Sequence, residues 1–231
     1  MRHAISRRGA WAVFRVVALL ALTSCGSEAR IPQDTRHESG VDATEFGFQV
    51  RLDSDRADPS DFRLSDEGGA LHILTGPAGI AFHPQDRIGS GAYRMDATFT
   101  QFGAPVGYRE AYGVFIGGRD LRKPDVEYTY FLVRPTGEYL IKRRVADGTE
   151  VLVDWTGNVA VHRVAAAGDE PVNTLTVRVG GDEVSFQVNG LEVGRLPVAE
   201  VRPYGIVGIR VNHRLDVQVT DWRLVRESPA P

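Results

Sequence analysis

Between Glu127 and Arg144 the sequence EYTYFLVRPTGEYLIKRR sets tyrosines and arginines at alternate positions. On an extended strand, residues two apart share a face. Tyr128, Tyr130, Leu132 and Arg134 therefore lie together, opposite Glu127, Thr129, Phe131 and Val133. In the second half Tyr139, Ile141 and Arg143 oppose Leu140, Lys142 and Arg144. An aromatic ring packs against the apolar C–H face of a sugar, and a guanidinium forks onto its hydroxyls. Tyr128, Tyr130, Arg134, Arg143 and Arg144 are thus candidates for carbohydrate binding. Both faces mix apolar and polar groups, so the period alone does not say which is core. Arg143 and Arg144 are adjacent and point to opposite faces; one of them meets the core side, a cavity or a groove. Trp155 alternates with Val151 and Val153, a packing pattern, yet supplies the aromatic platform such a site needs. Arg119 and Asp120 follow two glycines, which suit either a bulge or a close ligand approach. Asn212 and His213, with Arg214, form a polar step between apolar strands: a plain hairpin turn or the rim of a site. Trp222 reads as a packing residue.

The elements that must carry these groups are strands. Tyr93, Met95, Ala97 and Phe99 share one face against Arg94, Asp96, Thr98 and Thr100, and Leu175, Val177 and Val179 oppose Thr174, Thr176 and Arg178. This is the period-two signature of half-buried strands. Pro135-Thr136-Gly137, Asp147-Gly148, Gly180-Gly181 and Asn189-Gly190 separate successive runs, and such pairs supply the positive φ angles that tight hairpins demand. No window offers an amphipathic helix; Pro197–Val201 has room for one turn. About a dozen strands are expected in a block of roughly 185 residues. Immunoglobulin-type domains hold about 7–9 strands in ~100 residues, and no linker divides this block in two. The expected fold class is all-β: one antiparallel two-sheet jelly-roll sandwich.

Upstream, a basic start (Arg2, Arg7, Arg8) and an apolar run from Val16 to Leu22 lead into Leu22-Thr23-Ser24-Cys25, and Cys25 is the only cysteine. The arrangement has the parts of a secretory signal and resembles the lipobox of bacterial lipoproteins, which implies lipidation of Cys25 and a membrane-anchored protein of the cell envelope facing the periplasm or exterior. The apolar run falls short of the roughly 20 residues needed to span a bilayer. The expected organisation is a signal peptide at 1–24, a lipidated cysteine and flexible tether at 25–41, the sandwich at 42–227 and a frayed tail at 228–231. Without residues 1–24, 23 basic residues face 30 acidic ones, a net charge of −7. That balance opposes nucleic-acid binding, which needs a basic surface. With no second cysteine the fold cannot rely on a disulfide.

The order FQVRLDSDRADPSDFRL, AYGVFIGGRD, EYTYFLVRPTGEYLIKRR, NTLTVRVGGDEVSFQVNGLEV and GIVGIRVNHRLDVQVTDWRL resembles the concanavalin A-like lectin/glucanase superfamily over about residues 44–226. It is most similar to bacterial secreted proteins labelled DUF1080, or 3-keto-disaccharide hydrolase-like. The resemblance implies a sandwich with an open groove and, through that label, glycoside chemistry. Family-16 glucanases carry E-x-D-x-(x)-E on one strand, and this chain has no such string. In Glu150-Val151-Leu152-Val153-Asp154 the two acids are about 13 Å apart along a strand, beyond the ~5–5.5 Å of retaining and ~6.5–9.5 Å of inverting glycosidase pairs. No G-x-S-x-G elbow appears, and His72, His83, His162 and His213 have no serine partner nearby in sequence. Asp53, Asp55, Asp58 and Asp61 crowd one stretch but break the calcium-loop pattern. No cofactor is expected, although these acids or Asp120 could contribute to a calcium site; zinc lacks its ligand spacing. Three functions follow: a glycan-binding envelope lipoprotein, a hydrolase of glycosides or 3-keto-disaccharides, or a structural envelope protein.

Overall fold

The computed structural model describes residues 41–43 and 47–227. The expected signal peptide, Cys25 and almost all of the tether lie outside the described residues. Among the described residues fifteen strands follow one another: β1 (Val41–Ala43), β2 (Phe48–Leu52), β3 (Phe62–Glu67), β4 (Ala70–Thr75), β5 (Gly79–Ile88), β6 (Tyr93–Gln101), β7 (Tyr112–Arg119), β8 (Glu127–Arg134), β9 (Glu138–Val145), β10 (Gly148–Gly157), β11 (Val172–Gly180), β12 (Glu183–Val188), β13 (Leu191–Pro197), β14 (Gly205–Val211) and β15 (Asp216–Arg226). A single helical turn, α1 (Val198–Val201), stands where one turn was expected. The count exceeds the expected dozen because edge strands such as β3 are largely exposed and carry no apolar alternation to read.

The strands form two antiparallel sheets, as the alternation predicts. An eight-stranded sheet runs β1-β2-β5-β14-β7-β8-β9-β10, and a seven-stranded sheet runs β13-β12-β11-β6-β15-β4-β3. Tyr93, Met95, Ala97 and Phe99 of β6 and Leu175, Val177 and Val179 of β11 face inward and are fully buried. They meet Tyr112, Val114, Phe131, Val133 and Ile209 from the larger sheet in one continuous core. Each large side chain withdrawn from water there contributes roughly 1.5–3 kcal/mol.

The turns divide in an informative way. Asn189 and Gly190 both adopt positive φ (49° and 82°), as a two-residue hairpin between β12 and β13 requires. In the β9–β10 hairpin the expected Asp147-Gly148 is displaced. Val145 pairs with Gly148, so Ala146 and Asp147 form the loop, and Ala146 takes the positive φ of 52°. The register of Arg143 and Arg144 against Glu150 and Thr149 fixes the turn one residue earlier than the glycine suggests.

Candidate functional site

The inward face of the larger sheet makes the core, but its outward face is also buried. Phe82 on β5, Phe115 on β7, and Tyr128 and Tyr130 on β8 form a ladder of rings with centroids 6.3, 5.2 and 5.8 Å apart. Edge and tilted ring contacts of this kind add about 0.5–1.5 kcal/mol beyond area burial. Leu132, Leu140, Ile80 and Ile206 join them, with Leu121 and Val126 from the β7–β8 loop and Trp155 from β10 packed alongside. Gly208 lies between Ile206 and Arg210 on this face of β14. A side chain there would collide with the Phe115 ring and the Ala81 carbonyl, so the glycine lets the ring cross the strand.

This face is strongly curved. From β2 to β9 the sheet crosses five inter-strand steps, about 24 Å if flat. Yet Asp53, just past the end of β2, accepts a 2.9 Å hydrogen bond from Arg144 Nη1 on β9. One arginine side chain spans from β9 to the end of β2 only because the sheet curls into a trough with the aromatic ladder on its floor.

Asp53 is the hub of one end of that trough. Arg210, on the central strand β14, donates to both carboxylate oxygens (Nη1–Oδ1 3.0 Å, Nη2–Oδ2 2.5 Å), a two-pronged geometry specific to guanidinium. Arg210 is 7% exposed, and its guanidinium carbon lies 5.7 Å from the centre of the Tyr130 ring. Burial would raise the Asp53 carboxyl, but the charge and hydrogen bonds of Arg210, with Arg144 and His213, hold it below the usual carboxylate range. Burial pushes the Tyr130 hydroxyl up to about 12 and that of Tyr128 up as well, so both keep their protons near neutrality. Arg51 is pulled down by burial and by Arg144. Its Nη1 donates to the carbonyls of Leu121 and Lys123 (3.0 and 2.8 Å), tying the β7–β8 loop against the trough. The Nε groups of Arg51 and Arg210 are buried without an acceptor. Each such donor costs about 1–3 kcal/mol.

The other end is built differently. The Arg134 guanidinium stacks 4.0 Å from the centre of the Trp155 ring. It also donates from Nε and Nη2 to Glu138, at 2.7 and 2.5 Å. Those bonds, with one from Thr136, hold the Glu138 carboxyl down at about 2. This end borders a depression of about 760 Å³ lined by Thr136, Gly137, Glu138, Asn158, Val159 and Arg163, among others.

Of the residues expected to bind a ligand, Tyr128, Tyr130, Arg134, Arg144 and Trp155 come together on this face. Arg143 does not. It shares the inward face of β9 with Tyr139 and Ile141 and donates to the Glu200 carbonyl and the Glu150 carboxylate, so its place is structural. Glu150 is thereby accounted for too. Arg119 pairs with Glu127 (3.5 Å) and donates to the Tyr204 carbonyl (3.3 Å), while Asp120 binds Lys123 (2.7 Å); both are surface ties of the β7–β8 connection. Asn212 and His213 lie in the β14–β15 turn, where Asn212 N–H donates to the Ala111 carbonyl and His213 N–H to Glu110. Only His213 reaches the site, through its charge near Asp53. Among the described residues no three acids or histidines converge as a metal site. Asp53 is engaged by arginines, and Asp58 accepts from Ser60 at the start of a short 3₁₀ turn. Sequence reasoning missed Arg210, Arg51 and the true role of Asp53. Arg210 is a single charge inside the apolar run GIVGIRV, and that incongruity was the available signal.

No family model matches this chain, and no curated protein matches it in sequence. Solved structures do match in shape. A Bacillus subtilis protein of unknown function with a galectin-like fold superposes with a TM-score of 0.54 at 12% identity, over 78% of this chain and 90% of its own. The carbohydrate-binding module CBM66 from Bacillus subtilis gives 0.52 at 8% identity, over 76% and 94%. The carbohydrate recognition domain of Emp46p gives 0.52 at 11% identity, over 79% and 90%. The chain therefore has the galectin/concanavalin A-like sandwich fold, a fold shared with carbohydrate-binding modules and lectin domains.

Proposed function

We propose that this chain is a lipid-anchored protein of the cell envelope whose sandwich binds carbohydrate in the trough of the eight-stranded sheet. The observation that carries the reading is the composition of that trough: arginines at both ends and the half-buried Trp155 ring, on the outward face of a lectin-like sheet, over an aromatic layer that is itself buried. The lipobox-like Cys25 supports the anchor, and the fold of CBM66 and the Emp46p domain supports the ligand class. The strand phrasing also supports kinship with the DUF1080 group, but a fold by itself does not carry an activity.

Binding fits the trough better than hydrolysis. The acids hydrogen-bonded to its arginines, Asp53 and Glu138, sit at opposite ends: Arg144, which holds Asp53, is six residues and about 20 Å along β9 from Glu138. Glycosidase pairs need separations below about 10 Å and one carboxyl raised so that it can act as an acid. Both carboxyls here are lowered instead. A glycan array probed with the full chain in detergent tests the reading. Saturable binding that weakens on Trp155→Ala is expected. Failure to bind any glycan, or release of free sugar from an oligosaccharide panel, overturns it.

A further inference from the structure

The charge balance of the trough narrows the ligand class. Around Tyr128 and Tyr130 stand Arg51, Arg144 and Arg210, with Lys142 paired opposite Tyr130 on the same face. Against these four cations are Asp53, and Asp55 close enough to act on Arg51 through its charge. The arginine and acid at the far end, Arg134 and Glu138, cancel each other. A chain with a net charge of −3 thus concentrates excess positive charge in one concave and largely buried place. Clefts with low-dielectric walls focus such a field. Of these cations Arg144 and Lys142 are partly exposed and can be reached from solvent. Asp53 is shared between Arg144 and Arg210.

From this juxtaposition we infer that the trough recognises an acidic glycan, with Arg51, Arg144 and Arg210 meeting an anionic group on the sugar beside Tyr130. The inference rests on the carbohydrate reading above and adds the chemical class of the sugar. A carboxylate and a sulfate ester share the required chemistry, negative oxygen acceptors, and direct comparison separates the two.

The test measures binding of the full chain to an oligouronate, to the same oligomer after carboxyl reduction, and to a sulfated neutral oligomer of equal length. The expected result is at least about tenfold tighter binding of one or both acidic oligomers than of the reduced one. That is the ratio expected for one charge-assisted hydrogen bond gained. The advantage should shrink with added salt. Arg144→Gln should remove most of it, and Arg51→Lys should weaken it while keeping the positive charge. Circular dichroism of each variant establishes that the sandwich is intact, and the comparison among ligands needs no variant at all. Equal affinity for reduced and acidic oligomers overturns the acidic class and leaves carbohydrate binding standing. Binding of none of the three, together with a blank glycan array, overturns both.

Discussion

The seven-stranded sheet turns Arg94, Asp96, Thr98, Thr174 and Thr176 outward; the eight-stranded sheet turns Phe82, Phe115, Tyr128, Tyr130 and Arg210 outward. On the first surface these polar groups find partners close at hand. Arg94 grips Asp96 two residues away at 2.8–3.0 Å, and Thr98 bonds Thr174 directly across the β6–β11 pair at 2.9 Å. On the second, Arg210 reaches Asp53, 157 residues earlier in the chain, and both belong to an ion-pair group laid over an aromatic floor. The difference teaches that alternation has two outcomes. A strand whose polar side meets water needs only local pairing. A strand buried on both sides, like β8, needs a tertiary arrangement to satisfy its polar groups, and that arrangement becomes the site.

The contrast can be broken most directly at Phe115. Phe115→Ala should cost about 3–5 kcal/mol, as much as Phe186→Ala between the sheets, read as a shift in the denaturant midpoint at constant slope. A loss below about 1 kcal/mol would mean the outward face is not a second core. Next in size, Arg210→Ala should cost about 3 kcal/mol by leaving Asp53 partly buried without its main partner. The double change Arg210→Met with Asp53→Asn should recover part of that loss, a coupling that a double-mutant cycle measures.

Acid should weaken the trough. The folded Glu138 and Asp53 carboxyls lie below their unfolded values. Their contribution is therefore present above about pH 4.3 and is lost as pH falls, through about 2 for Glu138. Glu138→Gln should flatten the acid limb of a stability–pH curve. On the seven-stranded surface Asp96 is lowered in the same way by Arg94 and Thr176, but His72 carries the opposite sign. His72 is raised by its hydrogen bond to Asp216 (2.6 Å), with Glu67 at 2.9 Å on the other ring nitrogen. Its contribution is complete below about pH 6.5 and fades as pH rises through the elevated folded value. His72→Gln should abolish that alkaline decline in thermal midpoint. The smallest effect belongs to Thr98→Val, which should change stability by less than about 1 kcal/mol.

Much of the sandwich was legible because one side of most strands is plainly apolar. Tyr93, Met95, Ala97 and Phe99 read as an inward row and are one. The candidate site was legible in part. Tyr128, Tyr130 and Arg134 were grouped correctly by period two, but both sides of β8 are buried, so hydropathy could not orient the strand. Arg143 and Arg144 were separable in principle and indistinguishable in type; only the packing of Glu200 and Glu150 against the inward side decides between them. Asp53 was read beside Asp55, Asp58 and Asp61 as a local acidic group. Its partners lie 91 and 157 residues away, and the curl of the sheet that unites them is not written in any local pattern.

That curl ties geometry to recognition. Strand β9 and the end of β2 are laced by one carboxylate, so on the acidic-glycan reading a negatively charged guest would compete with the lace for the same guanidinium hands. Aperture and occupancy would then be a single variable, and docking an exchange of one tether for another, with the departing tether still bound to the rim.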